Sequence, residues 1–235
     1  MKRPAAVALL LAYPFLGADD VGAARPLITD DARVVDRKAC QLETWTRRNR
    51  GSSEYWALPA CNPSGNLELT MGGARTAAAG ETTTTDVLIQ GKTLFKQLET
   101  NGWGVGLVVG NLRHPGEARH DIVGNLYSYI PASFSFNGDA LVIHTNVGTA
   151  RPQNTPWHRL TWGVGAEIEV TKSLYLIPEM FSQAAGRPHY QAGIRYWVVP
   201  NRVQLDATYG DRVGQFTEGR WFSLGLRLIT PAFLP

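Results

Sequence analysis

The chain has 235 residues, with 23 lysines and arginines against 20 aspartates and glutamates, which gives a net charge of +3. This excess is small and dispersed, and no basic stripe or nucleic-acid motif accompanies it, so we do not expect nucleic-acid binding. The 24 glycines and the abundant aromatic residues, with few long apolar runs, favour many strands rather than helices.

The N-terminus has the pattern of a secretory signal peptide. Lys2 and Arg3 form a basic start, an apolar stretch follows over 5–17, and small residues at 22–24 offer a cleavage site. The apolar stretch is too short to span a bilayer comfortably, which disfavours the alternative of a membrane anchor. We therefore predict a signal peptide over 1–24 and export of the remaining chain.

Residues 25–38 are predicted to form a short periplasmic lead-in, and 39–235 to form one domain. Alternation of apolar and polar residues is the dominant signal there, and it is clearest at Phe222, Leu224 and Leu226. It predicts about twelve strands, with ten as the fallback, because Pro59 interrupts the second. The predicted strands cover 39–49, 53–61, 66–77, 83–97, 103–113, 121–135, 139–150, 157–170, 173–185, 188–199, 201–210 and 218–230.

Three features favour a membrane barrel over a soluble sandwich. Several strands reach ten or more residues, as a tilted bilayer span requires, whereas soluble strands are usually shorter. The connections tend to alternate between tight turns, such as Asn101-Gly102 and Asn137-Gly138, and longer loops. Aromatic residues near strand ends are candidates for the interfacial girdles, namely Trp103, Tyr175, Tyr196, Trp197, Tyr209 and Trp221. The prediction is an all-β, closed, antiparallel, up-and-down transmembrane β-barrel.

The two cysteines, Cys40 and Cys61, are candidates for a disulfide. A hairpin over 40–61 with its turn near Arg50 and Gly51 would bring them opposite each other, and an exported protein folds in an oxidising compartment. The alternative is two unpaired, buried thiols. Neither cysteine has metal-type spacing around it.

If the apolar faces meet lipid, the polar faces line the lumen. The resulting candidates are Glu43, Glu68, Lys92, Asn125, Tyr127, Tyr129, His144, Asn146, Glu167, Glu169, Glu179, Arg195, Asp206 and Arg227. Such groups could form a polar pathway that selects solutes by charge. Alternatively, they pair across a narrow interior and simply fill it.

A lipid-modifying enzyme is the main alternative from another class. His144 and Asn146 share a strand face, and Ser128 or Ser133 lies on a neighbouring strand, but Ser128 is expected to face lipid and there is no Gly-x-Ser-x-Gly element. No catalytic residue, metal or cofactor is therefore predicted. A non-conducting structural barrel is the third alternative.

The lead-in Arg25-Pro26-Leu27-Ile28-Thr29-Asp30-Asp31, with Gln41-Leu42-Glu43 on the first strand, resembles the outer-membrane barrels associated with the meta-pathway of phenol degradation. The stretch His144-Thr145-Asn146-Val147-Gly148 is similar to a second element of that pattern. This resemblance implies passage of small aromatic or other apolar compounds.

Together these features predict a protein of the bacterial outer membrane that moves small solutes passively. Its expected partners are outer-membrane lipid, the small-molecule solute and the barrel-assembly machinery during biogenesis.

Overall fold

The structure is a computed structural model that describes residues 25–115, 123–153, 155–182, 186–214 and 219–235. These residues form a closed antiparallel barrel in which each strand pairs with its neighbours in sequence and β12 pairs with β1. None of them forms a helix long and apolar enough to cross a membrane. The strands are β1 (Cys40–Asn49), β2 (Ser52–Cys61), β3 (Leu67–Ala78), β4 (Thr84–Lys96), β5 (Trp103–Arg113), β6 (Asn125–Phe136), β7 (Leu141–Arg151), β8 (Arg159–Thr171), β9 (Leu174–Ser182), β10 (His189–Val199), β11 (Val203–Arg212) and β12 (Trp221–Ile229).

The prediction of a closed barrel with twelve strands is confirmed, and the ten-strand fallback is not needed. β2 runs through Pro59 to Cys61 even though proline lacks the N–H that a ladder uses. Residues 1–24, predicted as a signal peptide, lie outside the described residues. The predicted strand ends at 121–122, 183–185 and 218 also lie outside them.

The barrel has two distinct ends. Strand β1 begins and β12 finishes at the same end, which we call the terminal end, and the opposite one is the far end. Tight turns close the terminal end, where Asn101 and Asn137 adopt φ of 55° and 53°, a left-handed conformation that asparagine tolerates. In the second turn, the hydroxyls of Ser135 and Thr100 donate to Asp139 and lower the pKa of that carboxyl below its ordinary value.

The outer face of the barrel is apolar and the inner face is polar. On β12, Phe222, Leu224 and Leu228 are exposed on the outside, whereas Ser223 points inward and is buried. Among the described residues, this alternation places most of the exposed large hydrophobic side chains on the outer wall, as the sequence predicted.

The aromatic residues near the strand ends divide between the two faces. Trp103, Tyr196 and Tyr209 are exposed on the outer wall, in accord with the predicted girdle positions. Trp221 was wrongly assigned to that girdle. It points inward and is buried, because it shares the inward face of β12 with Ser223. The guanidinium of Arg47 lies over its ring, 4.4 Å from the centroid.

Strands β1 and β2 are joined covalently at the terminal end. Cys40 and Cys61 are cross-strand partners with Cα atoms 4.0 Å apart, and a disulfide connects them. The bond closes the β1–β2 hairpin at the point where the chain enters the barrel wall.

Candidate functional site: a lumen filled by the N-terminal segment

Residues 25–35, which we call the plug segment, lie inside the barrel. Eight of these eleven residues are buried, including Asp30 and Asp31, and the other three are half-buried. The predicted periplasmic location of this stretch therefore does not hold for 25–35. The reason is charge pairing: the segment carries two aspartates and two arginines, and each finds a partner on the inner wall.

Lys92 on β4 holds the middle of the plug segment. Its Nζ lies 2.8 Å from Asp30 Oδ1 and 3.0 Å from Asp31 Oδ1. The Tyr129 hydroxyl on β6 donates to the other oxygen of Asp30 at 2.9 Å. Because all four groups are buried, this cluster replaces water by charged partners, and losing one partner would leave a buried charge unpaired.

Wall carboxylates bind the backbone of the plug segment. Glu179 on β9 accepts N–H hydrogen bonds from Ile28 and Thr29, both at 2.8 Å. Glu68 on β3 accepts the N–H of Val35 at 2.9 Å. Buried N–H groups require acceptors. The segment's own aspartates accept the N–H groups of Asp31 and Arg33, and the wall carboxylates accept those of Ile28, Thr29 and Val35.

The first residue of the segment is held on every side. Arg25 places a guanidinium nitrogen 2.5 Å from Asp206 on β11, and the same group lies 4.8 Å from the ring centroid of Trp45. Its carbonyl accepts hydrogen bonds from Arg195 at 2.8 Å and Gln204 at 3.0 Å. The segment is thus anchored at this position by both its side chain and its backbone.

A chain of polar contacts crosses strands β6 to β8. Ser133 Oγ lies 2.8 Å from His144 Nδ1, and His144 Nε2 lies 3.4 Å from Glu167, whose carboxylate also pairs with Arg195 at 2.6 Å. The residue types are those of a nucleophile, a base and an orienting acid. However, Ser133 is fully buried, and its Oγ accepts the N–H of Ala32 at 2.8 Å. The contacts of Ser133 therefore anchor the plug segment.

A vestibule of about 80 Å³ lies in the half of the barrel nearest the far end. Tyr127, Tyr129 and Phe181 form much of its wall, and Ile28 and Thr29 of the plug segment contribute to its lining. A smaller cavity of about 30 Å³ lies between the plug segment and the charged wall residues Glu43, Glu68, Lys92 and Arg227. A buried cavity of that size holds about one or two waters.

The structure brings most of the predicted lumen residues to the plug segment. Direct contacts to it come from Glu43, Glu68, Lys92, Tyr129, Glu167, Glu179, Arg195 and Asp206. Asn146 lies within hydrogen-bond distance of the Asp30 backbone. His144 reaches the segment through Ser133, and Arg227 contacts Glu43 at 3.3 Å.

The remaining predicted residues lie at the vestibule or near the terminal end of the barrel. Tyr127 and Asn125 line the vestibule. Glu169 is half-buried near the terminal end of β8 and pairs with the exposed Lys172 at 2.8 Å. Within the described ranges, no group of three or more His, Cys, Asp or Glu residues is arranged to hold a metal ion.

Sequence reasoning missed several residues of the site. Gln191 binds the carbonyl of Pro26 at 2.8 Å, and Ser223 Oγ lies 3.2 Å from the Arg25 guanidinium. Both have the inward parity of their strands, so strand alternation could have found them. The plug segment itself has no such signal, because a short charged stretch before the first strand is typical of a solvated linker.

The fold and this filled interior define the class: a twelve-stranded, up-and-down β-barrel of the outer-membrane type with an internal plug. Residues 12–229 match the family described as uncharacterised conserved protein UCP029691, and the chain belongs to that family. No curated protein matches the sequence.

Among solved structures, the chain is similar to the KdgM porin in complex with disordered oligogalacturonate. The TM-score is 0.63 at 8% identity, and the match covers 80% of this chain and 98% of that one. It is also similar to the NanC porin, with a TM-score of 0.57 at 10% identity, covering 80% and 98%. At these identities the likeness establishes the barrel fold. The resemblance to the barrels associated with phenol degradation stays a prediction.

Proposed function

We propose that this protein is an outer-membrane channel for small solutes, whose lumen is closed at rest by the plug segment. In this proposal the terminal end faces the periplasm, the far end faces the outside, and the apolar outer wall meets lipid. The single observation that carries the proposal is a polar, charge-lined interior that is filled by a separate segment rather than by wall side chains alone. The likeness of the barrel to two porins supports it.

The vestibule is the proposed entry site, and its lining favours solutes with an apolar or aromatic part. Tyr127, Tyr129 and Phe181 offer ring faces on which such a solute can stack. The vestibule is too small for an aromatic ring as it stands. A cavity of about 150 Å³ holds benzene, whereas the vestibule has a volume of about 80 Å³. Passage of an aromatic solute therefore requires Ile28 and Thr29 to shift, which links solute entry to displacement of the plug segment.

Two observations favour transport over the alternatives. A hydrolytic enzyme needs access to its nucleophile, and Ser133 is fully buried against Ala32. A purely structural barrel needs no aromatic vestibule above its plug.

The test is passage of a membrane-impermeant aromatic cation, benzyltrimethylammonium, into liposomes that contain the folded protein. We compare the wild type with a plug-neutral variant, the full chain with Arg25→Ser, Asp30→Ser, Asp31→Ser and Arg33→Ser. The expected order of rates is plug-neutral variant, then wild type, then protein-free liposomes. Rates equal to those of protein-free liposomes for both folded proteins, with the aromatic anion benzenesulfonate as well as with this cation, would contradict the proposal.

The aromatic part of the proposal has its own control. Phe181→Leu keeps an apolar side chain but removes the ring, so it should slow benzyltrimethylammonium more than tetraethylammonium in the plug-neutral background. Equal slowing of the two cations would show that the vestibule does not recognise aromatic groups.

A further inference from the structure

The plug segment and the barrel wall differ in charge balance. The segment is balanced, because Arg25 and Arg33 offset Asp30 and Asp31. On the inner face of the described wall, buried carboxylates outnumber buried lysines and arginines by six to three. The carboxylates are Glu43, Glu54, Glu68, Glu167, Glu179 and Asp206, and the cations are Arg47, Lys92 and Arg195. Half-buried Arg212 and Arg227 add two inward cations, and half-buried Asp86 and Glu169 add two inward carboxylates.

The plug segment satisfies this acidic wall with donors. Glu179 and Glu68 accept its backbone N–H groups, and Glu43 accepts the N–H of Arg25 at 3.3 Å. Asp206 accepts the Arg25 guanidinium at 2.5 Å. Four wall carboxylates on different strands therefore present acceptor oxygens to the occupant of the lumen.

Most of the charged partners of the wall cations stay in place when the plug segment is displaced. Arg195 keeps Glu167 at 2.6 Å and Arg227 keeps Glu43 at 3.3 Å, because those pairs lie within the wall. Lys92 is the wall cation that loses its two closest carboxylates, Asp30 and Asp31. Displacement of the plug segment thus frees Asp206, Glu68 and Glu179 from their plug donors, against one freed cation.

We infer that the open lumen is cation-selective, so the solutes of this channel carry ammonium or guanidinium groups. Rings of acidic side chains select cations in water-filled pores. The plug segment, with its N–H groups and the Arg25 guanidinium, occupies the place that a cationic, donor-rich solute takes. This inference rests on the proposed function, because it names the solute class of the same pathway.

The test is the reversal potential of the plug-neutral variant in a planar bilayer under a KCl gradient. That variant changes only plug residues and leaves every wall charge in place. The expected permeability ratio of K⁺ to Cl⁻ is above one, and the triple change Glu68→Gln, Glu179→Gln and Asp206→Asn should move it towards one. Glu99→Gln is the matched control, since Glu99 is exposed at a turn and pairs with Lys96 at 2.6 Å, and it should leave the ratio unchanged.

A second variant displaces the plug segment in a different way, in case the plug-neutral variant does not fold. Gly163→Leu, in the full chain, adds no charge and would place its side chain where Thr29 lies. It should give the same sign of reversal potential. A ratio of one or below in open channels would overturn this inference and leave the channel intact. No conductance from either folded variant would overturn the proposed function, and this inference with it.

Discussion

Lys92 Nζ lies 2.8 Å from Asp30 Oδ1, and this contact joins the barrel wall to the segment that fills it. The same ammonium reaches Asp31 at 3.0 Å, so one wall cation neutralises two plug carboxylates. All three side chains are almost completely buried. The pairing explains how a charged segment is stable inside a barrel.

Replacing Lys92 should release the plug segment. Lys92→Met leaves two buried carboxylates without their cation, and breaking a buried pair in this way costs about 3–5 kcal/mol. The population of the released segment, and with it trypsin cleavage after Arg33, should rise by about a hundredfold or more. Lys96→Met is the matched control, because Lys96 pairs with the exposed Glu99 and such pairs contribute about 0–1 kcal/mol. Similar cleavage rates for the two variants would contradict the role of Lys92.

A side chain at Gly163 should push the plug segment out without changing any charge. A Cβ atom at this position would lie 2.3 Å from Thr29 Oγ1, which is far inside van der Waals contact. Gly163→Leu should therefore raise the fraction of time for which single channels conduct. Gly91→Leu is the control, since a Cβ atom there meets only Leu69, at 3.8 Å. If both variants conducted for the same fraction of time as the wild type, the close approach of β8 to the plug segment would not keep the channel closed.

A charge on the outer wall should destabilise the barrel according to its depth. Val164 lies midway along β8 and Leu160 near its far end, and both are exposed on the outside. Val164→Arg should cost about 2–4 kcal/mol in lipid and Leu160→Arg about 0–1 kcal/mol. Equilibrium unfolding in lipid vesicles, with folding scored by heat-modifiable gel mobility, measures both. The reverse order would show that the apolar band is not centred where β8 places it.

Loss of the disulfide should lower stability without opening the lumen. Cys40 and Cys61 are 21 residues apart, and cross-linking a loop of about that length stabilises by about 3 kcal/mol. The double variant Cys40→Ser, Cys61→Ser should therefore unfold at lower denaturant concentration, as should the wild type in reductant. Its trypsin cleavage after Arg33 should stay at the wild-type rate. Faster cleavage would mean that the disulfide also holds the plug segment.

Strand alternation was sufficient to predict the wall of this protein. Because each strand reverses face at every residue, Phe222 outside and Ser223 inside follow from one pattern, and the inward positions of Glu43 and Glu179 follow from the same rule. Trp221 was assigned to the girdle from its position at a strand end and not from strand alternation. Its parity on β12 places it inside the barrel with Arg47.

The plug segment could not be predicted in the same way. Its anchors lie far along the chain, such as Asp206 for Arg25 and Glu179 for Thr29. No local pattern encodes such distant pairs, and a stretch with two aspartates and two arginines equally suits water. The excess of acidic residues on the wall was visible in sequence, but its meaning depended on knowing which donors fill the lumen.

Single-channel conductance of the full chain and of its plug-neutral variant, measured in the same planar bilayer, tests whether residues 25–35 close the lumen. We expect the wild type to be closed for most of the time and the variant to conduct in frequent, reproducible steps. Equal conductance of the two folded proteins, whether both open or both silent, would contradict the claim that residues 25–35 close a solute pathway.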